Sequence, residues 1–396
     1  MERKIIGTTT VFFTDRCREK NKGILKLTHP AMLAEEETLH WLDSVHLDEV
    51  AANMDADLRT AAENALSKGT VLLANTAWKT ADEWEKWLQI DNKKKKRVHL
   101  LALGDVGSTV LTALKLMGGD CIETLGIYDV NPDVCARWET ELNQAAFPWD
   151  YDALPTVEIL TEEQLFDCDM FVFCASKGIP PVGSQVQDVR MVQYEANKGI
   201  ISIFAKKARD AKFEGLFAVV SDPVDPLCRA AFLASNEDEA GIFDGKGLRP
   251  EQVQGYGLGV MNARAAYYAK RNPNFADFLT EGRAFGPHGQ DLVIANSIAN
   301  YDDERSKALT KLAIEANLRM RELGFKPYVA PAISSAAISL LLTLRGEWHY
   351  SSNFLNGVYM GSKNRTTLGV EIESLPLPDA LFQRIQKAYD GLEMIR

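Results

Sequence analysis

Apolar residues recur along the chain with two periods, every second residue and about every 3.6 residues, and residues 98–129 show both most clearly. In the run VHLLALGDVGSTVLTALKLMGGDCIETLGIYD, Val98, Leu100, Leu101 and Leu103 form a strand-type stretch that meets a glycine turn at Gly104 and Gly107. Val110, Leu114 and Met117 then fall on one helical stripe, Gly118-Gly119 stops it, and a second short strand over 125–128 ends in Asp129. Upstream, the same reading predicts strands over 5–13 and 70–74 and helices over 55–67 and 80–88, the second with Thr80 as its N-cap. Downstream it predicts a helix with Trp138, Leu142 and Ala145 on one face, then a strand over 156–160. Thr161-x-x-Gln164 follows as a capping box, and 170–175 reads as a buried strand by its unbroken apolarity. A proline- and glycine-rich loop over 177–183 leads into a long helix from about 188. Strands over 215–221 and 253–259 come next, the latter expected to be the last of the sheet.

From residue 97 onward strands and helices alternate, the mark of a parallel sheet covered on both faces. The expected fold is therefore α/β. A doubly wound parallel sheet over 97–259 precedes an α+β region over 260–396, and an α/β extension over 1–96 comes before both. The extension carries no catalytic motif, and Trp78, Trp84 and Trp87 in it read as core or subunit interface. The acidic stretch 236–246 reads as a surface insertion.

The glycine turn changes this picture from architecture to chemistry. Glycines let a strand turn tightly into a helix and let a pyrophosphate approach the unpaired N–H groups at the helix N-terminus. Gly104, Asp105, Val106 and Gly107 are the expected pyrophosphate contacts. Asp129 stands where a carboxylate can accept both ribose hydroxyls, which favours NAD over NADP. Ala175, Ser176 and Lys177, after the buried strand, complete the expected cofactor residues. Ala102 departs from the fingerprint, since its position is the one that normally holds the first glycine. Glycines used only for packing in an ordinary βαβ unit would not require the acid at Asp129.

With 396 residues, more than one domain is expected, and 46% hydrophobic with 25% charged residues describes a globular chain. The formal charge of −11 argues against nucleic acid or an anionic membrane as the main partner. The basic run 93–97 reads as a solvated linker. The apolar stretch 332–344 is too short to span a bilayer, and no secretory pattern opens the chain. Six cysteines, Cys17, Cys121, Cys135, Cys168, Cys174 and Cys228, have neither C-x-x-C nor metal spacing. Reduced thiols in a cytoplasmic protein without a metal site are expected.

Four further signals converge: Arg190 after the proline-glycine loop, the turn Ser221-Asp-Pro-Val-Asp225, the helix opening Val260-Met-Asn-Ala-Arg264, and Gly286-Pro-His-Gly289 between two strand-like segments. His288 alone among six histidines is set between glycines in a tight loop, and imidazole chemistry suits proton exchange with an alcohol oxygen. Arg264 offers a planar fork of donors that matches a carboxylate. With these residues the chain resembles the lactate/malate dehydrogenase family over roughly 97–360, while the first hundred residues have no counterpart in its usual members. The resemblance implies that His288 is the acid/base and Arg264 the carboxylate clamp. It also implies that Arg190, seven residues before Asn197, polarises the substrate carbonyl when its loop closes. Ser184, Gln185 and Gln187 stand in that loop where a second arginine would favour malate.

Two departures from the family pattern bear on mechanism. The residue three before the clamp arginine, an aspartate that orients the histidine in the family, is Met261, and the turn asparagine that contacts substrate oxygen is Asp222. Either the carboxylate has moved to the other side of the imidazole, or it meets a cationic group on the substrate. Three readings follow. The first is an NAD-dependent oxidoreductase acting on a small 2-hydroxy or 2-oxo carboxylic acid. The second is a dehydrogenase for an amino-bearing acid, and the third an NAD-binding regulatory or scaffold protein that has lost catalysis. The resemblance also implies a homodimer or homotetramer.

Overall fold

The computed structural model describes residues 2–14, 39–42, 56–89, 94–177, 189–355, 357–373 and 375–395. The predicted loop over 177–183 lies outside these residues from 178 onward, as do Ser184, Gln185, Gln187, Cys17 and Lys93.

In the extension, the stretch 5–13 is not one strand. Gly7, at φ 61°, turns the chain between β1 (Glu2–Ile6) and β2 (Thr9–Thr14), which pair antiparallel. A two-residue turn is too short to interrupt the β-branched and apolar run on either side of it, so composition alone reads 5–13 as one strand. With β3 (Leu39–Leu42) and β4 (Thr70–Asn75) these strands form a sheet in the order β1-β2-β4-β3. Helices Ala56–Leu66 and Ala81–Leu88 follow the predicted spans. Thr80 caps the second in a reciprocal box: its backbone N–H donates to Glu83 Oε2 at 2.8 Å, and the Glu83 N–H donates to Thr80 Oγ1 at 3.3 Å. Trp84 is fully buried in this unit and donates to the Asn75 carbonyl at 2.9 Å. Trp78 and Trp87 pack at its margin. Arg249, from the main body, lies 5.6 Å from the Trp84 ring centroid and 5.1 Å from that of Trp87. It pairs with Glu214 at 2.7 Å, and Glu214 also receives Lys79 at 2.8 Å, so charge and ring contacts fasten the extension to the body.

The main sheet is built from β5 (Lys96–Leu101), β6 (Ile122–Tyr128), β7 (Thr156–Ile159), β8 (Met170–Phe173), β9 (Leu216–Val219) and β10 (Val253–Gly255). These strands run parallel in the order β7-β6-β5-β8-β9-β10. The chain winds outward from β5 in one direction and then returns to wind outward in the other. That reversal leaves a crevice at the carboxyl ends of β5 and β8, where ligands of such sheets bind. One face buries Leu100, Val110, Leu114, Ile127, Val172 and Leu340, the other Phe171, Phe173, Ile201, Phe217 and Leu227.

The sheet does not end at β10. Three antiparallel strands, β13 (His349–Leu355), β14 (Val358–Thr366) and β15 (Val370–Ile372), extend it, with Ser352 paired to Gly255. In β13, Ser351, Ser352 and Asn353 are buried polar residues, so the apolar signature of a central strand is missing there. A separate hairpin of β11 (Arg283–Phe285) and β12 (Val293–Ala295) carries the Gly286-Pro-His-Gly289 loop, between two strands as expected. No helix among the described residues is long and apolar enough to cross a membrane.

Candidate active site

The glycine turn joins β5 to the helix Asp105–Met117, whose N-cap Gly104 supplies no side-chain hydrogen bond, so the first-turn N–H groups face outward uncapped. A Cβ added at Gly104 would meet nothing within 4 Å, which leaves open space in front of that helix end. At Gly107 a Cβ would come 2.0 Å from the Ala102 carbonyl oxygen and 3.3 Å from Cys174 Cβ, so only glycine lets the helix lie this close to the strand ends. Ala102 adopts φ 72°, the left-handed conformation that explains why glycine is the usual residue at its position. Asp129 accepts from the Leu103 N–H at 2.8 Å and the Asn131 N–H at 3.0 Å, fixing the acid beside the turn at the end of β6. Burial pushes the Cys174 thiol up to about 12, which makes it an inert packing group. Open space, uncapped amides and a flanking carboxylate together fit a dinucleotide.

Lys326 was not singled out by the sequence. Its Nζ lies 2.9 Å from Asp105 Oδ2, and it reaches the glycine turn from a loop more than two hundred residues away. No local pattern marks a lysine whose role depends on such a distant partner.

Ala175, Ser176 and Lys177 follow β8 on the other side of the crevice. Asn197, fully buried in the helix Val189–Asp210, ties this loop to the next. Its Oδ1 accepts the Lys177 N–H at 2.8 Å, while its Nδ2 donates to Ser176 Oγ at 3.2 Å and to the Asp222 carbonyl at 2.7 Å. The cofactor-side loop and the Asp222 turn are thus held by one amide. Arg190 occupies the first turn of the same helix, and its side chain lies outside the described residues.

His288 meets the Asp222 turn directly. Its Nδ1 is 3.6 Å from Asp222 Oδ1, with the histidine side chain 18% and the aspartate side chain 53% exposed. Gly257, at the start of the helix Leu258–Ala269, makes room for the histidine: a Cβ there would stand 3.0 Å from His288 Cβ. Two turns along that helix, Arg264 is half-buried, and its acceptors among the described residues are neutral. Its Nη1 approaches Met261 Sδ and the Ala313 carbonyl, each at 3.4 Å, and Nη2 donates to Asn317 Oδ1. Desolvation lowers the Arg264 pKa, and among the described residues no carboxylate offsets its charge within 4 Å. A partly buried guanidinium without a counter-ion is suited to receive a carboxylate ligand.

No protein-family model matches the chain. Among curated proteins it is similar to a probable malate dehydrogenase of Campylobacter jejuni, 27% identical over 291 residues that span 69% of this chain and 87% of the relative. An L-lactate dehydrogenase of Staphylococcus epidermidis is 24% identical, covering 75% of this chain and 95% of its own. The fold is shared with a lactate dehydrogenase from a Medee basin deep-sea metagenome library, with TM-score 0.62, 17% identity, and coverage of 76% and 98% of the two chains. It is also shared with the malate dehydrogenase of Archaeoglobus fulgidus in complex with NADH, at TM-score 0.60, 18% identity and the same coverage.

Proposed function

Because this chain belongs to the lactate/malate dehydrogenase family, we propose that it transfers a hydride between NAD and a small 2-hydroxy or 2-oxo carboxylic acid. The observation that supports this reading most directly is the His288–Asp222 pair, which Asn197 ties to the loop after β8. The helix end at Gly104, which no side chain caps, and an Arg264 guanidinium whose partners among the described residues are neutral agree with it.

When bound, NAD supplies the acceptor for the hydride that leaves the hydroxyl carbon. Asp129 accepts from the ribose hydroxyls and, through its charge, disfavours a 2′-phosphate. The first-turn amides of the helix Asp105–Met117 donate to the pyrophosphate. Arg264 holds the substrate carboxylate through paired hydrogen bonds and fixes the angle at which the reacting carbon faces the crevice. With Nδ1 of His288 turned to Asp222, Nε2 exchanges the proton with the substrate oxygen, taking it on oxidation and returning it on reduction. The family resemblance assigns Arg190, at the start of the helix Val189–Asp210, to the developing oxyanion.

Asp222 supports a second reading. Its carboxylate is more than half exposed, and from that position it could answer a substrate ammonium while Arg264 takes the carboxylate. Assays with NAD and matched pairs of 2-hydroxy and 2-amino acids test the choice. NADH formation with hydroxy acids supports the main reading, formation with amino acids alone replaces it with the second, and cofactor binding without turnover on any compound contradicts both.

A further inference from the structure

Met261 cannot orient His288 as a carboxylate would. Its side chain is buried, and its sulfur accepts weakly from Arg264, so it neither charges nor fixes the imidazole. We propose that Asp225, a buried carboxylate behind the loop that carries His288, is the positioning residue that fixes this histidine and favours its protonated form. This inference rests on the functional reading above.

Asp225 lies in the first turn of the helix Val224–Asn236 and is only 4% exposed. Its Oδ1 accepts from Ser352 Oγ at 2.5 Å, and the backbone N–H of His288 also hydrogen-bonds to its carboxylate. Ser352 belongs to β13, the strand that pairs with β10 at Gly255, so the acid is gripped from the sheet on one side and grips the histidine on the other. A buried carboxylate normally requires a cation. Among the described residues no lysine or arginine comes within 4 Å of Asp225, and the charge that acts on it favourably is that of His288. Desolvation pushes its carboxyl up to about 6, and the hydrogen bond from Ser352 and the charge of His288 oppose that rise. Titratable neighbours among the described residues include Asp222, which faces the ring at 3.6 Å, and the buried Cys228 thiol, which burial keeps neutral.

Asp222 is closer to the ring, but its side chain is half in solvent and its field is screened by water and salt. Asp225 acts through protein of low dielectric, where one charge has a larger effect at a given distance. The division of labour follows: Asp222 presents a carboxylate to the substrate side, and Asp225 sets the position and charge of His288 from behind.

The test is a pH titration of the His288 imidazole by NMR in the free protein, which needs no turnover, in the parent, Asp225→Asn and Asp222→Asn. The amide of Asp225→Asn keeps the shape and an acceptor for the His288 N–H but removes the charge. The His288 midpoint should fall by about one unit in Asp225→Asn and by less in Asp222→Asn, with unfolding midpoints and NADH affinity near those of the parent. A folded Asp225→Asn protein with the parent's midpoint overturns the proposal, as does a larger fall in Asp222→Asn. If Asp225→Asn does not fold, Ser352→Ala, which weakens the ionised carboxylate, should lower the midpoint in the same direction by a smaller amount; no movement overturns it. Absence of turnover in the parent would contradict the functional reading instead, and the titration would still decide the role of Asp225.

Discussion

His288 Nδ1 stands 3.6 Å from Asp222 Oδ1, and the backbone of Asp222 is held in place by the buried amide of Asn197 at 2.7 Å. A half-exposed acid beside a more enclosed imidazole can serve either partner, the ring or the substrate. Asp222→Asn separates the two. If Asp222 acts through the ring, turnover should fall on every substrate; if it recognises an ammonium, amino substrates should lose far more than hydroxy acids. Steady-state kinetics on both classes reads the difference, and an Asn variant with parental kinetics on all compounds would remove Asp222 from either role.

Arg264→Lys should raise KM for the carboxylate substrate by one to two decades, although charge is kept. A lysine cannot make the paired hydrogen bonds, and a hydrogen bond to a charged group is worth about 1.5–3 kcal/mol. The affinity for NADH should stay within a few-fold of the parent. An unchanged KM would mean that the neutral contacts to Asn317 and Ala313 are the whole purpose of this arginine.

Ala102→Gly should stabilise the protein. Alanine at φ 72° is strained by roughly 1–2 kcal/mol, and the extra unfolded-state entropy of glycine offsets part of the gain. The expected net is about 1 kcal/mol, read as a higher denaturation midpoint. A lower midpoint would show that the Ala102 methyl group packs in a way that outweighs the strain.

Lys326 and Asp105 should affect cofactor affinity with opposite signs. The ammonium rests 2.9 Å from Asp105 at the helix end proposed to take the pyrophosphate, and the carboxylate competes with that anion. Lys326→Ala should weaken NADH binding by no more than about fivefold, because water and salt screen an exposed ion contact. Asp105→Asn should tighten it. Calorimetric titrations of both variants check the signs, and two unchanged constants would mean that the pair lies outside the cofactor's reach.

The parts of this molecule that are written locally could be read from sequence. The Gly104–Gly107 turn, the Thr80 cap with Glu83, and the histidine loop between two short strands each rest on residues a few positions apart. What escaped depends on partners far along the chain. Ser352 is a poor strand residue until Gly255 and Asp225 are beside it, and Lys326 is an ordinary loop lysine until Asp105 is within reach. Asp225 was visible only as the last letter of a turn. Its burial beneath His288 follows from the attachment of β13 to β10, which no periodicity announces. The one-strand reading of residues 5–13 failed for the opposite reason, since the turn at Gly7 is only two residues long and strand-type residues flank it on both sides. Arg190 is placed on its helix by sequence and structure alike, and its proposed part in the reaction comes from the family resemblance.

The central claim is that this crevice reduces 2-oxo acids with NADH by proton transfer through His288. The most direct measurement is the rate of NADH oxidation across a panel of small 2-oxo acids, run in parallel with NADPH and with His288→Ala. The account predicts turnover with at least one 2-oxo acid and a clear preference for NADH over NADPH. It also predicts a loss of about 10²–10⁴-fold in kcat for His288→Ala, with NADH affinity within a few-fold of the parent. No turnover with any 2-oxo acid, or a His288→Ala variant that keeps half the parental rate, would contradict it.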